Sequence, residues 1–109
     1  MILIVGAQAS GKSTFAKTLA DEDDIIFDAQ ELLPRKEGVA ASYALLEELR
    51  AKRVVTVAEV GCGVHPLDRE ERDWRDAVGR MQSKLAAQAT CVVRMCCGIP
   101  QVIKGELCN

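Results

Sequence analysis

Met1-Ile2-Leu3-Ile4-Val5, followed at once by Gly6-Ala7-Gln8-Ala9-Ser10-Gly11-Lys12-Ser13, decides the fold. Five apolar residues in a row suit a strand buried on both faces, as in a parallel sheet. The next eight fit G-x-x-x-x-G-K-[ST]. That pattern carries weight when it follows a buried strand and opens a helix, as it does here. Gly6 and Gly11 let the backbone curl around a phosphate group, and the new helix adds the positive end of its dipole. Lys12 is placed to reach the β- and γ-phosphates, and Ser13 to offer its hydroxyl to Mg²⁺. The motif predicts a phosphate cradle from Gly6, Ala7, Gln8, Ala9, Ser10, Gly11, Lys12, Ser13 and Thr14. The expected ligand is ATP or GTP with Mg²⁺. No adenine- or guanine-reading motif selects between the two bases.

Working outward, a helix is expected from Lys12 to Asp21, with Phe15, Ala16, Leu19 and Ala20 on its apolar face. Ile25-Ile26-Phe27 reads as a second strand. A helix spans Val39 to Lys52, with Tyr43, Leu45, Leu46 and Leu49 as candidates for burial. Val54 to Val57 is a third strand. An amphipathic helix starts near Leu67 or Asp68 and buries Trp74, Val78, Met81 and Leu85. Thr90 to Cys96 is a fourth strand, Gly98-Ile99-Pro100 a turn, and Val102-Ile103 a short fifth strand. Strands alternating with helices predict an α/β fold: a three-layer, P-loop (RecA-like) domain with a mainly parallel sheet of four or five strands. The 109 residues are enough for one such domain, residues 1–109, and too few for two. Right-handed crossovers bring the loops after the strands to one edge of the sheet.

Two acids end strands on that edge. Asp28 fits a metal-side carboxylate partnering Ser13; a turn or helix-capping Asp is the other reading. Glu59 is able to act as a general base on a substrate hydroxyl, to orient a water, or to pair with an Arg. The catalytic candidates are Lys12 and Glu59, and the metal-site candidates are Ser13 and Asp28. His65, the single His, reads as a loop residue before Pro66. Arg72, Arg75 and Arg80 read as a solvated helix face with pairs such as Glu71 with Arg75.

Composition excludes several classes. The net charge is −2, from 14 basic and 16 acidic residues, with no basic run. That argues against a polynucleotide or an anionic membrane surface as partner. No apolar run nears the ~20 residues that span a bilayer, and cytoplasm is the default location. The five Cys lack C-x-x-C spacing, so neither zinc nor a disulfide framework is expected. Cys91, Cys96 and Cys97 are expected as small buried hydrophobes and Cys108 as an exposed thiol. Ala makes much of the apolar content, so the core is expected to be thin and helped by an oligomer interface.

Three further segments carry a resemblance. Glu59-Val60-Gly61-Cys62-Gly63-Val64-His65-Pro66 resembles E-V-G-x-G-I-V-P. Arg72-Asp73-Trp74-Arg75-Asp76-Ala77-Val78-Gly79-Arg80 resembles R-x-F-R-D-x-x-G-R. Cys97-Gly98-Ile99-Pro100, with Lys104-Gly105, resembles S-G-I-P-x-x-x-K-G. With the P-loop, their order is similar to the adenosylcobinamide kinase / adenosylcobinamide-phosphate guanylyltransferase family of cobalamin biosynthesis. The resemblance implies a RecA-like P-loop fold and a homo-oligomer, a trimer. It also implies phosphorylation of the aminopropanol hydroxyl of adenosylcobinamide, then GMP transfer from GTP. Relative to that pattern the chain is shorter before Ile25 and before Val54, and no residue matches the family's guanylylated His. Ala9 stands where the family has Arg, Ala58 where it has Asn, and Gln82-Ser83 where it has Asn-Gln. The resemblance therefore implies the kinase step and leaves the guanylyltransferase step without a carrier.

Overall fold

The computed structural model describes residues 1–33, 45–59 and 69–107. Tyr43, the loop from Gly61 to Pro66 with His65, and Cys108 lie outside the described residues. Five strands form one sheet: β1 (Ile2–Gly6), β2 (Ile25–Ile26), β3 (Val54–Ala58), β4 (Cys91–Cys96) and β5 (Ile99–Lys104). The helices are α1 (Lys12–Ala16), α2 (residues 45–49) and α3 (Arg69–Gln88). Strand order is β2-β3-β1-β4-β5. The first four strands run parallel, and β5 pairs antiparallel with β4. Among the described residues, no helix is long and apolar enough to cross a membrane.

The apolar run of β1 explains why it sits in the middle. Leu3 and Val5 face one apolar cluster and Ile4 faces another, all at most 5% exposed. Leu46 and Leu49 of α2 join the first cluster with Trp74, Val78, Met81 and Leu85 of α3. Ala16 of α1 and Val54, Val93 and Met95 of the sheet form the second. The sheet is thus covered on both faces. From β1 the chain first moves toward β2, and later from β3 across to β4. Right-handed crossovers moving in opposite directions place α1 and α3 on opposite faces. The order reverses at β1, and the crevice outside its carboxyl end is where an open α/β sheet binds ligands.

Several expectations are corrected. The first helix was expected to reach Asp21 and ends at Ala16. Beyond it the amides of Thr18 and Leu19 bond three residues back, and the Thr18 hydroxyl donates to the Phe15 carbonyl at 2.6 Å. Such local bonding competes with the regular α-helical ladder. The fifth strand is not confined to Val102-Ile103 but runs Ile99–Lys104 and includes Pro100. β5 is an edge strand, where a missing amide is tolerated. Cys91 is buried as expected, whereas Cys96 and Cys97 are exposed. Cys96 closes β4 and Cys97 occupies the two-residue turn to Ile99, beyond the cover of either helix. Cys97 and Gly98 both have positive φ, 52° and 77°, the mark of a tight hairpin whose twist matches its strands.

Candidate functional site

The residues after β1 form a compact cradle. Gly6 ends the strand where space runs out: a Cβ there would lie 2.7 Å from both the Met95 carbonyl oxygen and the Ser10 hydroxyl oxygen. Gly11 sits at φ 97° and caps α1. The Gly98 amide donates to the Ser10 carbonyl at 2.9 Å, so the β4–β5 turn buttresses the loop from behind. Ala9 also has positive φ, 60°, a conformation that disfavours a side chain. Gly11 suits its conformation locally, whereas Ala9 does not, and the Gly98 contact helps hold the loop.

Lys12 is 6% exposed, and its Nζ donates to the Ala7 carbonyl at 2.7 Å. An ammonium group this buried needs partners, and a polyphosphate would supply stronger ones than a lone carbonyl. Ser10 is equally buried, and its hydroxyl has no hydrogen-bond partner in the structure. The amides of Lys12, Ser13 and Thr14 open α1 and have no acceptor within it. Because α1 has only five residues, its dipole adds less than a long helix would. Any attraction for an anion here would come mainly from the lysine and the loop amides.

These groups line a cleft of about 490 Å³ formed by Gln8, Ala9, Gly11, Lys12, Ser13, Thr14 and Asp28. Of the predicted cradle, Gly6, Ala7 and Ser10, with its unpartnered hydroxyl, lie outside that lining, and Gly6 and Ser10 are buried. Asp28 stands at the N-cap position of a short 3₁₀ turn, Ala29–Leu32, yet its carboxylate makes no capping bond. Of the alternative reading, the side-chain cap is not formed, while the turn part stands, since Asp28 occupies the turn at the N-cap position. Ser13 and Asp28 together offer a hydroxyl and a carboxylate. Hard oxygen donors of this kind suit Mg²⁺, which takes one or two protein ligands and completes its shell with phosphates and water.

Glu59 is placed differently. Its amide donates to the Gly6 carbonyl at 2.9 Å, holding the residue at the same sheet edge. Its carboxylate is engaged by Arg94, with Nε to Oε1 at 2.8 Å and Nη2 to Oε2 at 3.4 Å. This pairing with an arginine is one of the three readings of Glu59. Arg94 itself was missed, although a charge inside the apolar run of β4 was a visible signal. Of the helix arginines, Arg75 pairs with Glu71 at 3.7 Å as the spacing predicts. Trp74 is core, its indole N–H donating to the Leu33 carbonyl at 3.0 Å. It ties α3 to the segment that follows Asp28.

A family model described as cobinamide kinase / cobinamide phosphate guanyltransferase matches residues 23–103. The match takes in Asp28, Glu59, α3 and the β4–β5 hairpin. It begins after the P-loop, whose assignment stands on its motif and geometry. No curated protein matches the chain. The chain belongs to the cobinamide kinase / cobinamide phosphate guanyltransferase family.

Proposed function

We propose that this chain binds ATP or GTP with Mg²⁺ in the P-loop cleft and transfers the γ-phosphoryl group to the side-chain hydroxyl of a corrinoid, adenosylcobinamide. The observation that carries the reading is the meeting of Lys12, Ser13 and Asp28 in one cleft. Lys12 would exchange the Ala7 carbonyl for phosphate oxygens. Loop amides would orient the triphosphate. Ser13 and Asp28 would hold Mg²⁺, which when bound offsets phosphate charge. Glu59 is the candidate base for the acceptor hydroxyl, with Arg94 steering its carboxylate. The family supports a cobinamide-directed enzyme in cobalamin biosynthesis. The kinase step is favoured because the single His, His65, stands in the segment 59–66 where the resembled pattern has an apolar residue, so no residue of the sequence matches the family's guanylylated His. Homo-oligomer formation and a cytoplasmic location belong to the same proposal.

A second reading is nucleotide binding without transfer, favoured by the Arg94 contacts on both Glu59 carboxylate oxygens. One experiment separates them. Purified protein is incubated with labelled ATP or GTP and adenosylcobinamide, and the corrinoid is analysed for phosphate. Phosphorylated corrinoid, reduced at least about tenfold by Glu59→Gln, is the expected result. Intact nucleotide binding without turnover selects the second reading. An acid-labile protein–GMP adduct would show that guanylyl transfer is retained.

A further inference from the structure

β3 reads Val54-Val55-Thr56-Val57-Ala58, and every residue in it is buried. Thr56 is the exception in chemistry: a hydroxyl at 0% exposure in a strand that otherwise packs apolar side chains. A buried hydroxyl costs stability unless it is hydrogen-bonded. Here its Oγ1 accepts the Asp28 amide at 2.8 Å. Two residues further along each segment the pattern recurs. Gln30 is 3% exposed, and its Oε1 accepts the Ala58 amide at 2.9 Å. Two buried polar side chains therefore staple the turn after β2 to the end of β3. That strand end is fixed to the P-loop in turn, since Thr56 pairs with Ile4 and Ala58 with Gly6 in the β1 register.

The staples flank a sharp turn. Asp28 has φ 53° and ψ 58°, a left-handed geometry that costs most non-glycine residues and that Asp adopts more readily than most, so the two bonds hold a turn the residue itself tolerates. Asp28 also lines the cleft with Lys12 and Ser13. We infer that Thr56, seconded by Gln30, is a positioning residue for the Asp28 carboxylate, holding it where it can share a divalent cation with Ser13 and a bound triphosphate. This rests on the P-loop reading above and deepens it. Thr56 touches neither nucleotide nor metal; it acts through the Asp28 backbone. Partners that orient metal ligands change metal affinity by about 10–100-fold when removed.

The test is calorimetric titration of the intact chain with ATP and with GTP, each in excess Mg²⁺ and in EDTA. The wild-type protein is expected to bind more tightly with Mg²⁺. Thr56→Val keeps shape and removes the acceptor. It should reduce the Mg²⁺-dependent gain about tenfold or more while leaving Mg²⁺-free affinity unchanged. Thr56→Ser should restore the gain. On an Asp28→Asn background Thr56→Val should cause no further loss, because its effect runs through that carboxylate. Gln30→Met gives a second probe, with a smaller loss of the same kind, should Thr56→Val not fold. An unchanged gain in Thr56→Val, or in Gln30→Met where that variant stands in, overturns the inference. So does an equal fall in Mg²⁺-free affinity, or an undiminished loss on the Asp28→Asn background. A wild-type chain that binds no triphosphate overturns the P-loop reading itself. One that binds without any Mg²⁺ effect sinks only the role of Asp28 and its anchor.

Discussion

The two edges of the sheet differ in what their polar groups do. At the amino edge, Leu19, Ala20, Asp21, Asp23, Asp24 and Arg53 surround a cleft of about 660 Å³, larger than the one over the P-loop. Its basic groups are held by local partners, while the Asp21 and Asp23 side chains are exposed. The Arg53 amide donates to Asp24 Oδ1 at 3.2 Å, Arg53 Nε to the Leu19 carbonyl at 3.1 Å, and Lys52 Nζ to the Asp23 carbonyl at 3.0 Å. At the carboxyl edge, Ser10 Oγ is buried without a partner and Lys12 is buried against a single carbonyl. Ala9, Gly11 and Asp28 there all hold positive φ. Volume alone does not make a site. Unmet hydrogen-bonding capacity and left-handed backbone set the carboxyl edge apart and support the proposal that it takes the ligand.

The largest expected effect tests that contrast directly. Lys12→Ala should weaken ATP or GTP binding by about 2–4 kcal/mol, roughly 30- to 1000-fold. Thermal stability should hold or rise, because a buried ammonium is removed. Calorimetry with a parallel melt checks both halves. Unchanged affinity would break the comparison, since the carboxyl edge would then have no more claim to a ligand than the amino edge.

How far each edge was legible in the sequence follows from the same physics. The P-loop was legible because its contacts are local: a run of eight residues sets the turn, the lysine and the hydroxyl together. Asp28 was legible as a strand-ending acid, but its left-handed backbone was not. The amide of that residue bonds to Thr56, 28 positions away, and sequence spacing cannot show which strands are neighbours. The partner of Arg94 was hidden likewise, because the Glu59 carboxylate lies across β1, 35 positions away. The order β2-β3-β1-β4-β5 explains both omissions, since neither β2 nor β4 follows its spatial neighbour in the chain. The short α1 was overread because its apolar periodicity continues past Ala16, while the Thr18 hydroxyl favours a tighter turn.

The amino edge provides the converse test. Arg53→Ala removes the bond to the Leu19 carbonyl and should cost about 0.5–1.5 kcal/mol of stability, read from a urea midpoint. Triphosphate affinity should not move, because Arg53 precedes β3 at the end opposite the cradle. If Arg53→Ala instead weakened nucleotide binding as much as Lys12→Ala, the division of labour between the edges would be wrong.

The smallest expected effect asks whether the strain at the carboxyl edge is real. Ala9 holds φ 60° in an exposed position of the loop. A left-handed non-glycine residue costs about 1–2 kcal/mol, a cost that glycine avoids. Glycine also gives the unfolded chain more freedom, which offsets part of the gain by about 0.4–1 kcal/mol. Ala9→Gly should therefore leave the protein as stable or up to about 1.5 kcal/mol more stable. An ordinary loop alanine with negative φ would instead lose stability on the same change. A measured loss approaching 1 kcal/mol would place Ala9 in that ordinary conformation, and the amino and carboxyl edges would then differ in hydrogen bonding and in the Asp28 turn, but not in the P-loop backbone.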